Sequence, residues 1–190
     1  IGQDWEASAQ RQLATIAPQA REAFLLMAVE GFSKEEIGHI LGKKPAEVLG
    51  LLEEASQTIV DQVATDVLII EDEPIIAMDL EALLESLGHN VTGVARTEQE
   101  ALKLASTKRP GLVLADIQLA DGSSGIDAVN KMLLDFAVPV IFITAFPERL
   151  LTGEKPEPAF LITKPFMPDM VKAVVSQALF FDTKSRAAAA

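Results

Sequence analysis

The sequence predicts two modules in tandem: an all-α helix-turn-helix module over residues 1–65, then an α/β doubly wound (βα)5 domain with a parallel sheet over 66–184. Three observations carry this reading. Apolar residues recur at helical spacing over residues 4–62, punctuated by glycines and prolines. From Asp66 onward, short apolar runs alternate with amphipathic stretches. Four of those runs stop at polar side chains: Glu71 and Asp72, Asp116, Thr144, and Lys164. Residues 185–190 read as a terminal tail.

In the first module, residues 6–16 predict a short helix ending at Pro18. Residues 19–30 carry Ala23, Phe24, Met27 and Ala28 on one helical face, with Gly31 as the stop. Ser33-Lys34-Glu35-Glu36 is a capping-box pattern, in which Ser33 and Glu36 satisfy each other's backbone N–H groups. Ile37, Ile40 and Leu41 give the helix that follows an apolar face, and Gly42 ends it. Pro45 suits the first position of a longer helix reaching about Val63.

In the second module, strands are predicted at 67–70, 90–95, 112–115, 140–143 and 160–162. Helices are predicted at 75–87, 98–107, 124–135, 147–152 and 169–181. Gly88 stops the first of these, and Thr97-Glu98-Gln99-Glu100 is a second capping-box pattern.

Composition excludes several functions. The formal net charge is −12, with 28 acids against 16 bases, which argues against a chain built to hold a nucleic-acid backbone or an anionic membrane. There is no cysteine, so thiol catalysis and cysteine metal sites are excluded, and His39 and His89 are too few for a histidine zinc site. No stretch approaches the roughly 20 apolar residues of a membrane span. A soluble cytoplasmic protein is expected. The chain begins at Ile1 rather than Met, which suggests that a native start is missing.

In a parallel sheet the polar residues at the carboxyl ends of strands converge on one crevice. Three acids, a hydroxyl and an ammonium there point to a hard divalent cation beside a carboxylate able to accept a phosphoryl group.

These positions resemble those of a two-component receiver domain: Glu71-Asp72-Glu73-Pro74 after the first strand, Asp116 after the third, Thr144 after the fourth and Lys164-Pro165-Phe166 after the fifth. The resemblance covers about 66–182. It implies Asp116 as phospho-acceptor, with Asp72, Asp116 and the Gln118 backbone carbonyl on Mg²⁺ or Mn²⁺ and Glu71 acting directly or through water. It further implies that Lys164 gives positive charge to the transferred group, that Thr144 hydrogen-bonds it, and that Lys164-Pro165 is cis. The phosphoryl source implied is a sensor histidine kinase or phosphotransfer protein. Many receivers carry an aromatic residue three positions before the lysine, whereas this chain has Leu161 there. The loop Thr144-Ala145-Phe146-Pro147-Glu148 is expected to transmit the change instead.

The first module resembles region 4 of a small bacterial sigma factor, on Leu13, Ile16, Pro18, Arg21, Phe24, Gly31-Phe32-Ser33, Glu36-Ile37, Ile40-Leu41-Gly42 and Val48. Such a helix-turn-helix ordinarily enters the major groove. Residues 46–65 contain no Lys or Arg, yet include Glu47, Glu53, Glu54 and Asp61. A recognition helix of that charge repels phosphates, so no DNA contact is expected.

A sigma-like module without DNA contacts, placed before a receiver, resembles the PhyR family of bacterial general stress regulators. That resemblance implies that phosphorylation breaks an intramolecular contact between the modules. The freed sigma-like half then captures an anti-sigma factor of the NepR type, through exposed apolar residues such as Leu49 and Leu52. The family also has a region-2-like part, for which only residues 1–9, with Trp5, are available here, so a truncated or internally deleted chain is expected. Two alternatives are a DNA-binding transcriptional regulator and a phosphatase with Asp116 as nucleophile. Gln118 stands where such phosphatases often place a second acid, which counts against sustained turnover.

Overall fold

The computed structural model describes residues 13–149 and 160–189, and it divides into two compact units, residues 1–63 with 167–190, and residues 64–166. The expected Trp5 remnant lies outside the described residues, as do most of the helix expected at 6–16 and the end of that expected at 147–152.

In the helical unit, α1 (Pro18–Ala28) buries Ala20, Ala23, Phe24 and Met27. Next, α2 (Lys34–Leu41) opens with the full capping box: Ser33 Oγ accepts from Glu36 N at 3.3 Å, and a Glu36 carboxylate oxygen accepts from Ser33 N at 2.8 Å. Gly42 ends it in the left-handed conformation (φ 65°), which a side chain would disfavour. Then α3 (Pro45–Val63) presents Val48, Leu52, Ala55 and Ile59 as one inward stripe at helical spacing. The residues expected to meet a partner fall on or beside this stripe. Leu52 is 5% exposed and belongs to the core with Ala23, Met27, Ile37 and Val48, while Leu49 is half-buried. Leu52 lies one helical turn after Val48, which fixes it on the inner face.

The C-terminal helix completes this core. Directly after the last strand, α7 (Pro168–Ala189) packs Ala173 and Met170 against the Met27, Ile37, Val48 and Leu52 cluster. Lys34 pairs with Asp169 at 3.6 Å beside that contact. The helix runs beyond the expected residue 181, through Lys184-Ser185-Arg186 and into the alanines, a stretch with no glycine or proline to stop it.

The other unit is a five-stranded parallel sheet in the order β2-β1-β3-β4-β5. Its strands are β1 (Asp66–Ile70), β2 (Asn90–Ala95), β3 (Leu112–Asp116), β4 (Val140–Thr144) and β5 (Phe160–Thr163). The near-continuous burial of the three central strands, β1, β3 and β4, is what a parallel sheet covered on both faces requires. On one face Leu68, Ile70, Val113, Ala115 and Phe142 pack with residues of α5 (Glu98–Thr107) and α6 (Gly125–Asp135). On the other face α4 (Pro74–Ser86) brings Ala77, Leu80 and Leu84 against β1 and β2. Chain order reverses between β1 and β3, which opens a crevice at their carboxyl ends. The second capping box forms by half: Thr97 Oγ1 accepts from Glu100 N, but the Glu100 carboxylate accepts from Arg96 N. Where a helix over 147–152 is expected, residues 147–149 form a single 3-10 turn.

Candidate functional site

The crevice is lined by Asp72, Glu73, Asp116, Gln118, Thr144, Ala145, Phe146 and Lys164, around a space of about 210 Å³. Four strand ends supply these side chains. Glu71 follows β1 directly and is 1% exposed; Asp116 closes β3 and is 8% exposed; Thr144 closes β4 and is buried. Lys164 follows β5, its backbone N–H donating to Thr144 O at 2.8 Å and its peptide to Pro165 cis.

Lys164 is the centre of the electrostatics. Its Nζ lies 2.8 Å from Glu71 Oε2, 2.9 Å from Asp116 Oδ2 and 3.2 Å from Glu73 Oε1. Burial works against the charged ammonium, but hydrogen bonds and Coulomb attraction from Glu71 and Asp116 outweigh it and hold Lys164 well above the usual lysine range. Glu71 moves upward, because burial penalises its charge more than Lys164 and the Glu73 N–H (3.0 Å from its Oε1) favour it.

Asp116 is fixed from behind. Its Oδ1 accepts from Ile117 N at 2.6 Å, and its Oδ2 faces Lys164. The backbone behind it passes so close to Gly125 that a Cβ there would sit 1.7 Å from Asp116 O, so this turn admits only glycine. Thr144 Oγ1 accepts from Phe146 N at 3.0 Å, which ties the hydroxyl to the loop after β4. Phe146 itself is exposed at the crevice wall.

The sequence-derived residues Glu71, Asp72, Asp116, Gln118, Thr144 and Lys164 therefore share one crevice or its buried floor, whereas Leu49 and Leu52 lie in the other unit. Glu73 was not singled out among them, although it stands third in the acidic run that closes β1. Glu71, Glu73 and Asp116 bring carboxylate oxygens within 4.8 Å of one another, an all-oxygen donor set that suits a hard divalent cation. Among the described residues, no helix is long and apolar enough to cross a membrane.

A doubly wound domain with this crevice, joined to a sigma-like helical module, defines a response regulator. Residues 13–62 match the sigma-like domain of the response regulator PhyR, and residues 67–176 match the response regulator receiver domain. The chain belongs to the PhyR family of response regulators. It is 63% identical over 179 residues to the phyllosphere-induced regulator PhyR of Methylorubrum extorquens, covering 94% of this chain and 67% of that protein. The crystal structure of the response regulator PhyR from Brucella abortus is similar at 64% identity and a TM-score of 0.74, covering 93% of this chain and 73% of that one. The anti-anti-sigma factor PhyR of Bartonella quintana, crystallised with the anti-sigma factor NepR, is similar at 60% identity and a TM-score of 0.51, covering 94% and 73%.

Proposed function

We propose that this chain is a phosphorylation-gated partner switch with anti-anti-sigma activity. Asp116 takes a phosphoryl group, and the helical module then captures an anti-sigma protein of the NepR type. The relatives that carry this name, and the co-crystallised PhyR–NepR pair, support the choice of partner.

The observation that carries the switch is the packing of α7 on the helical module. Met170 and Ala173 sit on Met27, Ile37, Val48 and Leu52, covering apolar surface that an amphipathic partner helix could use instead. Two occupants competing for one surface need a differential stability of only a few kcal/mol to redistribute. The base-free face of α3, with Glu53 and Glu54 exposed, supports a protein partner over DNA.

At the receiver site, an Asp116 carboxylate oxygen forms the new bond to phosphorus while the donor's leaving group departs with its bonding electrons. The Lys164 ammonium balances charge on the transferred group, and the Thr144 hydroxyl is placed to hydrogen-bond it. Asp72, Asp116 and the Gln118 carbonyl would hold Mg²⁺, with Glu71 beside them; that ion supplies charge neutralisation for the phosphate oxygens. Gln118, not an acid, stands two residues after Asp116, so a stoichiometric acceptor, not a hydrolase, is the reading. A sensor histidine kinase or phosphotransfer protein is the proposed source.

The test is capture of a NepR-type anti-sigma protein with and without an acyl-phosphate donor. Wild type should gain at least about tenfold in affinity with donor, equivalent to ~1.4 kcal/mol of coupling. Asp116→Ala should lose that gain. Equal donor-stimulated capture by both would overturn the reading.

A further inference from the structure

The structure assigns Glu73 a role as a gate on Lys164, a positioning residue that competes with the incoming phosphoryl oxygens for the lysine ammonium. The inference rests on Asp116 being the phospho-acceptor and concerns which groups control its loading.

An ammonium has three N–H groups to give and no acceptor. Three carboxylate oxygens surround Lys164 Nζ, from Glu71 at 2.8 Å, Asp116 at 2.9 Å and Glu73 at 3.2 Å. Glu73 Oε1 and Asp116 Oδ2 accept hydrogen bonds from it and Glu71 Oε2 forms a close ion pair, so an incoming phosphoryl oxygen competes with these carboxylates for the ammonium. Glu71 is 1% exposed and is held at its other oxygen by Glu73 N, so it stays. Asp116 is the acceptor itself and is held by Ile117 N. Glu73 has the longest of the three contacts, and its side chain is 60% exposed at the mouth of the crevice. It is the one acid of the three that can swing into water at little cost.

A second observation separates this contact from ordinary helix capping. Glu73 is the N-cap residue of α4, yet its side chain makes no capping hydrogen bond. Its carboxylate reaches instead across the crevice to a lysine 91 residues away in sequence. The arrangement adds a negative charge that an anionic donor must pass, and it occupies the donor that the transferred group needs. Both effects slow loading from small donors.

The test uses the full chain with acetyl phosphate and saturating Mg²⁺. In the reaction an Asp116 oxygen bonds to phosphorus, the phosphorus–oxygen bond to the acetyl group breaks, and acetate leaves with the electron pair. Glu73→Gln should accelerate acyl-phosphate formation roughly two- to fivefold, the range for releasing a partly exposed ion pair. Glu73→Asp keeps the charge but is one methylene shorter, and should accelerate loading as Gln does. A calorimetric Mg²⁺ titration without donor sets the saturating concentration for each variant, so that rates compare fully loaded sites. Wild-type rates in Glu73→Gln, or acceleration by Gln but not by Asp, would each overturn the gate. These outcomes differ from failure of the underlying reading, in which wild type itself gains no phosphoryl group on Asp116.

Discussion

Lys164 and Glu71 form a buried couple in which each is costly without the other. Lys164→Met leaves the 1%-exposed Glu71 facing Asp116 with no counter-ion. Removing one partner of such a pair costs about 3–5 kcal/mol. Urea unfolding should show a loss of that order for Lys164→Met, and the double variant with Glu71→Gln should recover part of it. His89 offers a second expectation at this scale. Its Nδ1 accepts from Thr65 N at 3.3 Å, and its Nε2 is buried with no partner among the described residues. Burial holds its pKa below the ordinary 6.5, so between those two values the unfolded chain binds the more protons. The stability from neutral His89 is complete above pH 6.5 and is lost as pH falls through its folded-state pKa. The urea midpoint of wild type should therefore drop between pH 7.5 and pH 5.5, and that of His89→Gln should drop less. An equal slope in both proteins would remove His89 as the cause.

At the scale of elements, a partly exposed ion pair at 3.6 Å joins Lys34, in the first turn of α2, to Asp169, in the first turn of α7. Asp169→Lys should loosen α7 and raise donor-free capture of the anti-sigma protein up to roughly fivefold, the limit for a partly exposed pair. Lys34→Glu combined with Asp169→Lys should restore the wild-type level, and capture assays on the three proteins check this. Elements of this kind were legible in the sequence because their signals are local: Ser33 with Glu36, Pro45, Gly42, and the apolar runs before Glu71, Asp116 and Thr144. The burial of Leu52 has a local cause too. Read singly it resembles Leu49, and only its phase with Val48, Ala55 and Ile59 sends it inward. Glu73 on Lys164 had no local signal at all, since nothing in a run of three acids says which will reach a distant lysine. The Thr144–Phe146 tie likewise needs the turn geometry after β4.

For the whole molecule, the division of labour differs from the division of the sequence. Residues 67–176 match a receiver, yet the compact helical unit takes in residues from 167 onward. The helix that follows β5 thus spends Met170 and Ala173 on the core of the N-terminal module. This supports a switch built from chain connectivity: whatever resets Thr144, Phe146 and Lys164 acts on the segment that leads into α7.

That shared helix also orders events during synthesis. The helical module is made before the helix that completes its core, because Met170 and Ala173 leave the ribosome only after the entire sheet. Until then Met27, Ile37, Val48 and Leu52 keep an open apolar slot on the nascent chain. If that slot is the partner surface, an anti-sigma protein present during translation would meet it before α7 docks. On the proposed mechanism, silence is then something the chain acquires only once α7 has docked.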